Sequence, residues 1–116
     1  MTSYTTAQVR NLVLSHLGVL PTGETPAAAD AETAEAAIES VHARLDGLGL
    51  LNWPCCAVPS SVLFAVSYLA ANELLDIYGN SDTQVARIKD GAMRGLTEIR
   101  QQTAVANSGT TPALYY

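Results

Sequence analysis

The sequence predicts an all-α fold, a small four-helix bundle with an extended C-terminal tail. Three observations predict it. Apolar residues recur at three- and four-residue spacing in separate stretches, the signature of one helix face. Segments rich in glycine and proline separate these stretches. The most apolar stretch, residues 62–78, is apolar around most of a helix circumference, as a central helix requires. No internal repeat is present.

The first helix is expected over residues 6–17, with Thr5 or Thr6 as N-cap and Gly18 as its stop. Val9, Leu12, Val13 and Leu17 form its apolar face. Residues 20–28 form a surface linker, because Pro21 and Pro26 lack amide donors and Gly23 tolerates positive φ. The second helix is expected over residues 29–48, where Ala34, Ile38, Val41, Leu45 and Leu48 make a heptad-like seam. Asp30, Glu32 and Glu35 near its start suit the helix dipole, and Gly47 and Gly49 end it. Residues 50–59 form a loop in which Trp53 and Val58 precede prolines and are therefore extended. The third helix is expected over residues 60–78, capped by Ser60 or Ser61 and closed by Gly79. Phe64 and Ile77 count among its apolar positions. Asn80, Ser81 and Asp82 form a turn and cap. The fourth helix, residues 83–102, carries the seam Val85, Ile88, Ala92, Leu96 and Ile99. Gly91 and Gly95 each cost that helix about 1 kcal/mol relative to alanine. Their lack of a side chain permits a close helix approach.

These boundaries divide the chain into a helical domain over residues 1–102 and a tail over residues 103–116. The length of 116 residues favours one such domain. Hydrophobic residues make up 48% and charged residues only 15%, a low fraction for a surface that faces only water. Part of the surface is therefore expected to be small and neutral, or covered in an oligomer. The net charge of −5 argues against nucleic-acid binding as the main task. Acid gathers in the second helix, base in the fourth (Arg87, Lys89, Arg94 and Arg100). The chain opens without a basic region or apolar run of a signal peptide. Residues 62–78 are too short and too polar for a membrane span.

No catalytic constellation is expected. His16 reads as solvated or helix-capping and His42 as a surface residue. Ser60 and Ser61 read as caps rather than nucleophiles. Gly91 and Gly95 sit in a helical pattern, not a phosphate loop. The acidic residues do not alternate as calcium ligands do. Cys55 and Cys56, adjacent in sequence, read as reduced thiols without zinc-ligand spacing. No cofactor and no metal is expected.

Three features carry two readings each. Trp53 either covers the end of the helical core or anchors a neighbouring subunit. The fourth helix's cations either face DNA or pair with acids, including acids of a neighbouring copy. Glu35, Glu39, Arg87 and Arg94, with Trp53, are the inter-subunit candidates. The tail is either a plain mobile end or a docking peptide. Its apolar, tyrosine-bearing tip favours the second reading, with Thr110, Thr111, Pro112, Ala113, Leu114, Tyr115 and Tyr116 as the docking residues.

Taken in order, several motifs resemble the head-to-tail adaptor (connector, or head-completion) proteins of tailed bacteriophages. They are Leu17-Gly18-Val19-Leu20 closing the first helix, Gly23-Glu24-Thr25-Pro26, and Leu45-Asp46-Gly47-Leu48-Gly49-Leu50 closing the second. The Trp53-Pro54 loop follows, and Val58-Pro59-Ser60-Ser61 opens the apolar helix that runs to Tyr78-Gly79. The likeness spans residues 6–100. Trp53 falls slightly later than the family's tryptophan, after a Gly-Leu-Gly break.

The resemblance implies a four-helix structural protein of the virion, not an enzyme, located in the neck between capsid and tail and made in the host cytoplasm. It implies a homo-oligomeric ring of twelve beneath the portal protein. Such a ring helps retain packaged DNA, which passes through the lumen unread, and offers a platform to a downstream tail or stopper protein. In this family the C-terminal segment grips the portal, a role that falls here on residues 103–116. The competing reading is a small helical DNA-binding or regulatory module acting through Arg87, Lys89, Arg94 and Arg100.

Overall fold

The computed structural model describes residues 3–20, 24–54, 57–78 and 81–110, with side chains to Ala104. Five α-helices lie within these residues: α1 (Thr6–His16), α2 (Ala28–Gly47), α3 (Leu63–Glu73), α4 (Leu75–Tyr78) and α5 (Asp82–Thr110). Among the described residues the fold is all-α apart from one two-residue ladder. In it β1 (Ser3–Tyr4) pairs antiparallel with β2 (Val58–Pro59), Ser3 opposite Pro59 and Tyr4 opposite Val58.

Local chemistry explains most boundaries. Thr5 caps α1 in a reciprocal box. Its Oγ1 accepts from the Gln8 amide at 3.3 Å, and its own amide donates to Gln8 Oε1 at 2.9 Å. Helices α1 and α2 end in the same way. Gly18 (φ +74°) and Gly49 (φ +73°) take the left-handed conformation that side chains disfavour. Val19 then donates back to the Leu14 carbonyl, and Leu50 to the Leu45 carbonyl. Ser81 caps α5 by accepting from the Gln84 amide at 3.1 Å.

Helix α3 is the hub, as its nearly all-apolar circumference predicts. It packs against α1 and α2, and most extensively against α5. Val9 and Val13 of α1 and Leu17 at its C-cap are buried with Ala34, Ile38, Val41 and Leu45 of α2. Val66 and Ala70 of α3, and Ile88, Ala92 and Ile99 of α5, complete the core. The α3–α5 contact is close because of two glycines. A Cβ added at Gly95 would stand 2.7 Å from the Ala65 Cα, and one at Gly91 would stand 2.7 Å from the Tyr68 ring.

Several expectations are corrected. The apolar stretch is not one helix. Ser60–Val62 form a 3₁₀ turn, without a side-chain cap from either serine. The helix is interrupted again at Leu74, whose amide bonds the Ala71 carbonyl three residues back, and α4 follows as a separate short turn. Phe64 and Ile77 are exposed, not buried. The β1–β2 ladder carried no sequence signal. The last helix does not stop at Gln102 but runs 29 residues to Thr110. Thr103 is buried, accepts from Asn52 Nδ2 at 2.9 Å and donates to the Leu50 carbonyl at 3.3 Å. Residues 103–110 thus continue the helical unit, and the boundary drawn after residue 102 falls inside α5. The expectations for Pro21, Gly23, Cys55, Cys56, Gly79, Asn80 and the tail tip at residues 111–116 lie outside the described residues.

Candidate functional site

Of the inter-subunit candidates, Trp53 belongs to its own core. It is 8% exposed, held in the α2–β2 loop beside Val62 and beside Ile99 and Gln102 of α5. Its indole Nε1–H donates to His42 Nε2 at 2.9 Å, and the two rings meet edge to face. An indole only donates, so Nε2 must accept. Nδ1 therefore carries the ring proton and donates to the Ile38 carbonyl at 2.9 Å. His42 is itself buried, which corrects its reading as a surface residue. The α2 seam is wider than a single stripe, and position 42 follows Val41 onto its flank. An interface role for Trp53 is thereby set aside, because its indole edge is already occupied.

His16 is also not simply solvated. Its ring stacks on Tyr68, with centroids 4.1 Å apart and planes 13° from parallel. The Ser67 hydroxyl donates to the Phe64 carbonyl at 3.0 Å, which leaves its oxygen to accept from His16 Nε2–H at 3.0 Å. Gln84 of α5 donates to the His16 carbonyl at 2.9 Å. One residue thus ties α1 to both α3 and α5. Burial lowers the His16 pKa from 6.5 to about 4, and the positive charge of Arg87 adds to the effect.

The consequence for stability has a definite sign. The folded pKa lies below the unfolded one, so the unfolded chain binds a proton that the fold rejects. Stability is complete above about pH 6.5 and declines as the pH falls toward 4. Because the ring is only half-buried, the expected loss is about 1–2 kcal/mol rather than the full value of the shift. Urea titrations at pH 7 and pH 5 check this: the decline should be clearly smaller in His16→Gln than in the parent. An equal decline in both would remove His16 as the cause.

The charged candidates separate into paired and unpaired groups. Glu35 is held by Arg10 at 2.9 Å, across α1 and α2. Arg94 reaches back one turn to Asp90 at 3.0 Å, an exposed pair of little energetic weight. Arg44 lies 2.9 Å from Glu73 Oε2 as a charge contact without an aligned hydrogen bond, while Ser40 donates to Glu73 Oε1 at 3.0 Å. Tyr78 donates to Asp30 at 2.7 Å and ties α4 to the start of α2. That bond, with desolvation second, raises the phenol's pKa. Glu39 and Arg87 are exposed and have no ion-pair partner among the described residues. Glu32, Asp46, Lys89 and Arg100 share that condition.

The four cations of α5 do not share a face. Arg87 and Arg94 are seven residues apart, and Lys89 and Arg100 eleven apart, so each pair lies along one flank. At about 100° per residue, the two flanks point in different directions. A single basic strip of the kind that follows a phosphate backbone is not formed.

The exposed apolar side chains are unevenly placed. Phe64 is 58% exposed and stands at an open groove of about 170 Å³ between α3 and α5, floored by Gly91 and Gly95. Met93 is 73% exposed and Leu48 55% exposed. Leu48 borders a small apolar hollow lined also by Val41, Leu45, Leu69 and Leu96, where α2, α3 and α5 meet. Among the described residues no group of three or more His, Cys, Asp or Glu side chains converges as a metal site requires. No helix among them is long and apolar enough to cross a membrane.

No protein-family model, curated protein or solved structure matches this chain. Its functional reading therefore rests on its own residues and geometry.

Proposed function

We propose that this chain is a structural virion protein, a head-to-tail adaptor that assembles as a ring under the portal. In this reading it helps retain packaged DNA and gives the tail or a stopper protein its platform. The observation that carries the reading is the length of α5. The last buried side chain described on it is Thr103, and the helix continues seven residues further, to Thr110. At about 1.5 Å per residue this is roughly 10 Å of helix beyond Thr103. An arm fixed at its root by Thr103 and by the Gln102 bond to the Ser61 carbonyl would present residues 110–116 to a partner at a set distance. The ordered root lowers the entropy lost when such a segment docks.

Deleting residues 109–116 tests the docking role. The truncated chain should keep its helical circular dichroism and its unfolding midpoint, yet lose binding to the portal ring. Undiminished binding by the truncated chain would refute it.

A further inference from the structure

We propose that copies of this chain contact each other through the outer face of α2 on one copy and one flank of α5 on the next. The outward positions of α2 are Glu32, Ala36, Glu39, Ala43 and Asp46, spaced four, three, four and three, and all are exposed. This stripe carries three carboxylates with no ion-pair partner among the described residues, separated by alanines. The matching flank of α5 is Lys89, Met93, Leu96 and Arg100, spaced four, three and four. It has a cation at each end, with the exposed Met93 and the outer edge of the partly buried Leu96 between them.

The two stripes are opposite in charge, and small side chains on one stand against a large apolar one on the other. Alanines allow a helix backbone to approach closely, and Met93 is the most exposed large apolar side chain described on the molecule. A flexible thioether set against Ala36 and Ala43 removes its apolar surface from water. The carboxylates at 32, 39 and 46 recur every seven residues, so they keep one direction over about 21 Å of helix, enough to meet Lys89 and Arg100, about 16 Å apart.

The contact must lie between copies. Within one molecule, the side of α2 that faces α5 carries Val41, Leu45 and Leu48, which line the apolar hollow with Leu96. The acidic stripe points away from that side. Since the two surfaces differ, the contact is heterologous, and repetition gives a closed ring or an open chain according to the rotation between copies. Arg94 and Glu35, which already have partners within the molecule, take no part.

Paired charge reversals test this contact by sedimentation velocity at low and physiological salt. The parent protein should associate in a concentration-dependent manner that salt weakens. Glu39→Arg/Asp46→Arg should lose the associated species, because both surfaces are then basic. Lys89→Glu/Arg100→Glu should lose it as well, because both are then acidic. Mixing the two variants should restore it, since each then offers the surface the other needs. Circular dichroism on each variant establishes that the fold is retained. A parent that stays monomeric at high concentration, or a variant that associates alone as the parent does, would overturn the contact. Neither result touches portal binding by the C-terminal segment, which the truncation above tests separately.

Discussion

Trp53→Ala is expected to lower folding stability by about 3–5 kcal/mol, the cost of emptying a large aromatic site in a packed interior. Two losses combine there. The ring's apolar contacts disappear, and the buried His42 loses the donor to its Nε2. Trp53→Phe separates the two. It keeps most of the ring area but leaves Nε2 without a partner, for an expected cost of about 1–3 kcal/mol. Adding His42→Leu to Trp53→Phe removes the orphaned acceptor, so the double variant should be less destabilised than the two single effects summed. Urea unfolding followed by far-ultraviolet circular dichroism measures these three and His42→Leu alone, because the only tryptophan is itself replaced in most of them. If Trp53→Phe matched the parent within about 0.5 kcal/mol, the indole–imidazole bond would have no structural weight.

Gly95→Val is expected to cost about 3 kcal/mol or more. An ordinary exposed helix position gains about 1 kcal/mol when glycine becomes alanine. At Gly95 the added Cβ would stand 2.7 Å from the Ala65 Cα and 3.1 Å from the Ala65 carbonyl oxygen. Those are backbone atoms of α3 and cannot rotate aside, so α5 has to move outward along its main contact. Overpacking of this kind costs about 1–3 kcal/mol, and valine's branching adds to it. Gly95→Ala should therefore destabilise despite the helix-propensity gain. Gly91→Ala should do so less, because it meets a side chain rather than backbone, and the Tyr68 ring yields at the cost of part of its stacking on His16. The order Val worse than Ala at 95, and Ala at 95 worse than Ala at 91, is read from thermal midpoints. A more stable Gly95→Ala would mean that the two helices are not in close contact.

Much of this fold was legible because single residues dictate it. The seam of α2 needed only the spacing of Ala34, Ile38, Val41 and Leu45. Gly18 and Gly49 announced the helix ends because few other residues accept their φ. Gly91 and Gly95, unfavourable in an isolated helix, made sense only as a close approach, and α3 lies where they require it. The features that escaped depend on partners distant in sequence. His42 gives no local sign of burial, since its donor sits eleven residues on in a loop. His16 becomes structural only when Ser67 and Tyr68 of α3 and Gln84 of α5 reach it. The break at Leu74 and the two-residue ladder are tertiary effects below the length at which periodicity is visible. The sequence pattern ends α5 too early for a related reason. Thr103 is held by Asn52 and Leu50 of the loop, and Ala104, Val105 and Ala106 then offer nothing that stops a helix.

The candidate surface was legible in its charges but not in its grouping. Acid in the second helix and base in the last were evident at once. Which cations shared a flank, and which were already paired within the molecule, required the fold. Trp53, the natural interface candidate by residue type, is occupied by a histidine, while Met93, unremarked in the sequence, is the side chain left in water.

Native mass spectrometry of the full chain, alone and mixed with a portal ring, addresses the assembly role most directly. Twelve copies should load onto the ring, and residues 110–116 should become protected from proteolysis as they do. A chain that never joins the ring, or that binds with those residues still open to protease, would contradict it.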